Sequence, residues 1–194
     1  MPTAVEVKVT TPWEFYLQKS KEVVGHFVSR PKVLKADAHN ETSDNIPMKG
    51  GIAGNIVAET TLLELKSSEV ARAKELGFNA VQGDIRQIPF PDDTFNIVID
   101  CSTLDHLHSD DVPKALAEYQ RVLKQNGICL LFCWVTDKGD WGNTGYFDDP
   151  NKHSTFQHAG LVERFEQNFV IQSEELFNRT GDRYMTCLIG SAKR

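Results

Sequence analysis

Between Ala80 and Asp100 the chain passes from a strand-like segment through an acidic turn and a Pro-Phe-Pro loop into a second run, Phe-Asn-Ile-Val-Ile-Asp. That second run is apolar and β-branched, the composition of a strand covered on both faces rather than of one with a wet side. Strands of that kind belong to α/β sheets, whose ligands bind in the crevice beyond the carboxyl ends of the strands. Asp84 and Asp100 stand at two such ends and are the first candidates for ligand contacts.

The rest of the sequence alternates in the same sense. Apolar residues at helical spacing from 13 to 30 predict an amphipathic leading helix, closed by Pro31. Short strands are expected at 33–36 and 60–65, with an unassigned glycine-bearing stretch between them. A helix follows from 67, with Ser67 read as its N-cap and Gly77 as its stop. Strands at 78–82 and 95–101 come next, then a helix opening at Ser109 and ending at Asn126-Gly127, then a strongly apolar strand at 128–135. The stretch 136–154, rich in Asp and Gly with Trp141, Tyr146 and Phe147, has no period and reads as a loop over the same sheet edge, a candidate lid. A helix at 155–168 and a hairpin of strands at 169–177 and 184–191 complete the order. The fold class is therefore α/β, a Rossmann-like, doubly wound, mostly parallel seven-stranded sheet with a C-terminal antiparallel hairpin, built as one domain over residues 1–194.

Composition limits the functions open to such a domain. With 194 residues, one core can bury roughly 70% of the unfolded surface, so no metal or disulfide staple is needed. A net charge of −6 with scattered Lys and Arg disfavours nucleic acid, which asks for a basic face. Cys101, Cys129, Cys133 and Cys187 sit in or beside apolar runs without a CxxC pair, as buried free thiols of a reducing compartment do. No apolar run approaches the ~20 residues of a membrane span, and the first residues lack a signal-peptide pattern, so no membrane partner and a cytoplasmic location are expected. Oligomeric state leaves no mark in the sequence.

The strand order and three local blocks carry a resemblance. Val81-Gln-Gly-Asp84 with Ile88-Pro-Phe-Pro-Asp-Asp-Thr-Phe-Asn-Ile-Val-Ile, then Ser102-Thr-Leu-Asp-His106-Leu, then Tyr119-Gln-Arg-Val-Leu-Lys-Gln-Asn-Gly127, are similar to successive blocks of the class I methyltransferases that use S-adenosylmethionine, in their type 11 branch. The likeness is best from about 33 to 135. It implies that Glu64 takes the ribose hydroxyls, that Leu65 packs on the adenine, that Asp84 accepts from the adenine amino group beside the Ile85 N–H, and that Asp100 and Cys101 hold the methionine end.

One block departs from the family. Where an acid followed by G-x-G-x-G is usual, this chain has Lys35-Ala-Asp37-Ala-His39-Asn-Glu41, with side chains at all three glycine positions. A smaller branch, with V-L-K-T-D-L-F-D-E-A here and S-T-L-D-H-F later, resembles both blocks of this chain. There an acidic loop replaces the glycine loop, and Asp37, His39 and Glu41 become candidate contacts, Asp37 by a charge-assisted bond to the cofactor's ammonium.

Two functions stay open from the sequence. The first is methyl transfer from S-adenosylmethionine to a small-molecule or peptide nucleophile, which proximity and alignment can drive with a base only where the acceptor must lose a proton. His106 and Asp105 are the candidate bases, and the histidines show no metal-ligand spacing such as H-E-x-x-H. The second is a non-catalytic binding or partner-regulating protein that keeps the fold with altered or lost cofactor affinity.

Overall fold

The computed structural model describes residues 11–44, 49–139, 141, 155–177 and 182–193. Most of the expected lid, including Tyr146 and Phe147, and most of the hairpin turn lie outside the described residues. Helix α1 (Pro12–Gly25) opens on a capping box, in which Thr11 and Glu14 each accept from the other's backbone N–H, with Pro12 in the first turn. It is shorter than its sequence pattern and ends at Gly25.

Strands β1 (Lys32–Ala36), β2 (Glu59–Glu64), β3 (Asn79–Gln82) and β4 (Phe95–Cys101) are the first four of the sheet. Between β1 and β2 lie a single helical turn, α2 (His39–Thr42), and a 3-10 turn at Ala53–Asn55. Helix α3 (Ser67–Glu75) connects β2 to β3; its N-cap is Lys66 rather than Ser67, and no side chain caps it. Helix α4 (Val112–Val122) runs directly into β5 (Leu123–Thr136), so the strand starts earlier than its apolar run. Asn126 takes a φ of 60° in this irregular entry, where the β4–β5 register shifts. A two-residue strand, β6 (Phe156–Gln157), stands where helix was expected, and α5 (His158–Asn168) begins after it. Strands β7 (Phe169–Phe177) and β8 (Tyr184–Ala192) form the terminal hairpin.

The sheet order is β3-β2-β1-β4-β5-β8-β7, with β6 attached to β5. Strands β1 to β6 pair in parallel, while β8 is antiparallel to both β5 and β7. The seven expected strands are thus present, and β6 is an eighth. Alternation along the strands divides the core. Leu34, Val98 and Leu131 face α4 and α5 through Leu116, Tyr119, Leu161 and Phe165. Val33, Ile97, Ile99 and Phe132 face α1 through Phe15, Tyr16, Val23 and Val24. Leu62 and Ala80 pack on Val70 and Ala73 of α3. All four cysteines are free and buried.

Candidate functional site at the carboxyl edge

The strand order reverses between β1 and β4, since β1 leads outward to β2 and β4 leads outward to β5. Open α/β sheets place their ligands at such a reversal, beyond the carboxyl ends. Ala36 stands in register with Leu63 of β2 and with Asp100 of β4, which brings Asp37, Glu64 and Cys101 to one line along the edge. Asp37 and Ser102, the residues just beyond β1 and β4, both hold left-handed backbone, with φ of 63° and 65°. Side chains rarely adopt that region, and such strain concentrates at functional sites. Thr103 bridges the two strand ends, its hydroxyl donating to Asp37 Oδ2 at 2.6 Å and Ala36 O at 3.3 Å. Tyr16 of α1 joins from the sheet's other layer, its hydroxyl 2.8 Å from that of Ser102.

Below Asp37 lies a charge that sequence reading passed over. Lys35 is fully buried, with Nζ 3.2 Å from Asp37 Oδ1 and 3.1 Å from Glu41 Oε2. Burial alone would depress its pKa, but the carboxylates of Asp37 and Glu41 outweigh it and hold the ammonium charged. Glu41 is buried and its Oε1 accepts from the Ala53 N–H at 3.0 Å. It therefore serves inside the loop and does not present itself to a ligand, unlike the expectation drawn from the sequence. His39 is exposed, and its N–H donates to Asp37 Oδ1 at 2.9 Å. Of the three candidates in the acidic loop, Asp37 and His39 are at the surface.

The segment carrying Ala53 fits closely against α2. A Cβ on Gly51, whose φ is +55°, would stand 2.3 Å from Asn40 O. Gly51→Ala should cost about 2 kcal/mol from left-handed strain and backbone crowding. Chemical denaturation measures it, and a change below about 0.5 kcal/mol would contradict this contact.

At the end of β2, Glu64 is buried and both of its oxygens are engaged: Oε2 accepts from the Ala38 N–H at 3.0 Å and Oε1 from the Lys66 N–H at 2.9 Å. Each carboxylate oxygen has a second acceptor site, so the group can still serve a ligand hydroxyl. The adjoining Leu65 is 61% exposed, an apolar side chain held out at the ligand edge. Asp84, past β3, is clamped by Arg86: the guanidinium Nη2 donates to Oδ2 at 2.6 Å, Nε reaches both oxygens, and the Arg86 N–H meets Oδ1 at 2.8 Å. Those bonds hold its pKa below the usual carboxylate range. Arg86 also reaches Asp111 at 2.8 Å, tying the β3 turn to the start of α4. The Ile85 side chain is in the core, leaving its backbone as the only part suited to a ligand.

The end of β4 differs most from expectation. The Asp100 carboxylate is fully buried on the α4 face and accepts from Tyr119 OH at 2.7 Å, Thr103 N–H at 2.7 Å and Leu104 N–H at 3.1 Å. Burial pushes its pKa up to about 6, against the pull of these three donors. Its side chain holds the turn at the strand end and is not offered to a ligand. The Cys101 thiol is buried among the α1-side residues, with its pKa raised by burial. Asp105 has no exposed surface; it accepts from Cys133 Sγ at 2.6 Å and Trp134 N–H at 3.1 Å. That buried position keeps it from an acceptor, unlike its expectation as a candidate base. His106 is exposed, yet its ring is partly desolvated, which lowers its pKa; Asp37 opposes this, and His39 and Lys66 add to it.

Among the described residues no cluster of three or more His, Cys, Asp or Glu is arranged to hold a metal ion. Trp141, expected as a lid or pocket residue, stacks on Phe156 at 4.7 Å under the Arg164 guanidinium. A cavity of about 520 Å³ opens at the opposite, amino edge, where Lys32, Glu59, Asn79 and Phe95 begin their strands. It mixes Arg30 and Lys32 with Glu59 and lies away from the strand-end acids.

Comparison with known proteins fits this geometry. Residues 50–131 match the family model described as a methyltransferase domain. An S-adenosylmethionine-dependent methyltransferase from Thermotoga maritima superposes with a TM-score of 0.64 at 14% identity, covering 94% of this chain and 92% of that one. The chain has the fold of the class I methyltransferases. The uncharacterized methyltransferase YcgJ of Bacillus subtilis is 48% identical over 62 residues, 30% of this chain and 24% of YcgJ. The chain spans only about a quarter or less of the length of the first curated relatives it matches. The class I fold also serves other chemistry: the [4+2]-cyclase SpnF superposes with a TM-score of 0.68 at 15% identity, over 90% of this chain and 80% of that one.

Proposed function

We propose that this chain binds S-adenosylmethionine along the carboxyl edge of β1 to β4 and transfers its methyl group to a small-molecule or peptide nucleophile. The observation that carries this reading is the meeting, at the strand-order reversal of a methyltransferase fold, of Asp37, Glu64 and the exposed Leu65 on adjoining strand ends. When bound, the cofactor supplies a methyl group activated by a sulfonium. Glu64, an acceptor-only group, suits a ribose diol. Leu65 offers an apolar face to the base, and Asp84, kept ionised by Arg86, accepts from an exocyclic amine. The partly exposed Asp37 carboxylate faces a cationic amine. His106, its pKa lowered by partial desolvation, is an exposed group suited to take a proton from an acceptor. The four free thiols support a reducing, cytoplasmic setting, and no described helix is long and apolar enough to cross a membrane.

A second reading, a non-catalytic methyltransferase-fold protein, is favoured by the prior engagement of the Asp37 and Glu64 carboxylates with backbone N–H groups. Isothermal calorimetry with S-adenosylmethionine and S-adenosylhomocysteine separates the two. Micromolar affinity, weakened at least tenfold in Glu64→Ala and in Asp84→Ala, is expected. Absence of binding at millimolar ligand would leave the second reading standing.

A further inference from the structure

A lysine between Leu34 and Ala36 in a central strand is out of place by composition, since β1 is covered by neighbours on both edges and packed on both faces. Its register partners are Leu62 and Ile99, and it has no exposed surface. Lysine is almost never fully buried unless paired, and an unpaired buried ammonium is very costly. Here Nζ is surrounded by the end of its own strand and by α2: Ala36 O at 3.4 Å, Asp37 O and Oδ1 at 3.2 Å, and Glu41 Oε2 at 3.1 Å.

Stability does not explain why such a cluster is kept. A buried ion pair is often replaced by apolar residues of similar volume without loss of stability. What the cluster fixes is the direction of one carboxylate. Asp37 is gripped from beneath by Lys35, along the turn by the His39 N–H and across the strand reversal by Thr103. Its backbone takes the left-handed conformation that glycine adopts readily and other residues avoid. The side chain that results is 21% exposed and stands where β1 and β4 part.

We propose that Lys35 is a positioning residue that, through Asp37, sets the subsite for the amino-acid end of the cofactor: an ionic clamp takes the place of close glycine packing. Glu41 belongs to the clamp, because it completes the ammonium's partners and carries the fit on to Ala53. Lys35 itself never meets the ligand. This inference rests on the reading that the edge takes S-adenosylmethionine.

The test compares two probes. S-adenosylhomocysteine carries an α-amino acid; 5′-methylthioadenosine keeps the adenosine and the thioether and lacks that group. Calorimetric titrations are run on the wild-type chain and on Lys35→Met/Glu41→Gln, which removes both buried charges at nearly constant volume, with thermal melts confirming a cooperative fold. The double variant should bind S-adenosylhomocysteine at least tenfold more weakly and 5′-methylthioadenosine within twofold of wild type. Thr103→Val, which loosens the same carboxylate from the outer side, should show the same selectivity with a severalfold loss, and it serves alone if the double variant does not fold. Equal loss for both probes, or unchanged affinity for S-adenosylhomocysteine, overturns the inference while the cofactor reading stands. A wild-type chain that binds neither probe overturns both.

Discussion

Replacing Asp100 by alanine should lower the unfolding free energy by roughly 4 kcal/mol, from two buried donors and one half-buried donor left without a partner at about 1–3 kcal/mol each, less some relaxation. The donors are the Tyr119 hydroxyl and the Thr103 and Leu104 N–H groups. Water has no ready access, because Asp100, Leu104 and Tyr119 are all fully buried. Tyr119→Phe is the matched control: it removes one donor and leaves the carboxylate two amides, and should cost about 1–1.5 kcal/mol. Urea denaturation at neutral pH measures both. A loss under about 1 kcal/mol for Asp100→Ala would show that the carboxylate is not what holds the turn between β4 and the Thr103 bridge.

The second large effect is a pH dependence. Burial, aided by the negative charge of Asp100, raises the Asp105 pKa to about 7, against the opposing bonds from Cys133 and Trp134. An unfolded aspartate titrates near about 3.9. Between about pH 4 and 7 the folded state therefore holds a proton that the unfolded state has lost, and this group's contribution to stability falls as pH rises. Asparagine resembles the protonated acid and does not titrate. Asp105→Asn should thus be close to wild type below pH 4 and gain on it through pH 7, to a relative stabilisation on the order of 4 kcal/mol above that. Denaturation midpoints of both proteins at pH 4, 6 and 8 decide it. Parallel curves would mean that Asp105 is ionised in the fold throughout.

Both predictions concern acids that the sequence placed at the ligand edge and the structure places inside. Position along the chain located them well, since β4 spans the residues its composition marked. The direction of a side chain at a strand end is another matter. It depends on which face the last residues take and on what packs there, and Asp100 is drawn inward by Tyr119, nineteen residues away. Nothing local encodes that partner. The same holds for Lys35, which by residue type reads as surface. Its signal was present: a lysine inside an apolar strand with acids two and six positions on. The position of Glu64 and Leu65 was legible, because the end of an apolar strand suffices to bring them to the edge. The short elements were not, as α2 and β6 are too brief to show a period and exist through tertiary contacts: Glu41 with Ala53, and Val135 with Phe156.

The split between early and late strands has a consequence for how the molecule comes into being. Strands β1 to β4 are complete by Cys101, well before β8 (Tyr184–Ala192) is made. Strand β5, which braces β4, has its far side occupied by β8, and β8 ends at Ala192. Until β8 is made, the flank of β5 is an open strand edge, a template for pairing with other chains. The strands whose carboxyl ends meet at the reversal are thus made well before the sheet is protected from its neighbours.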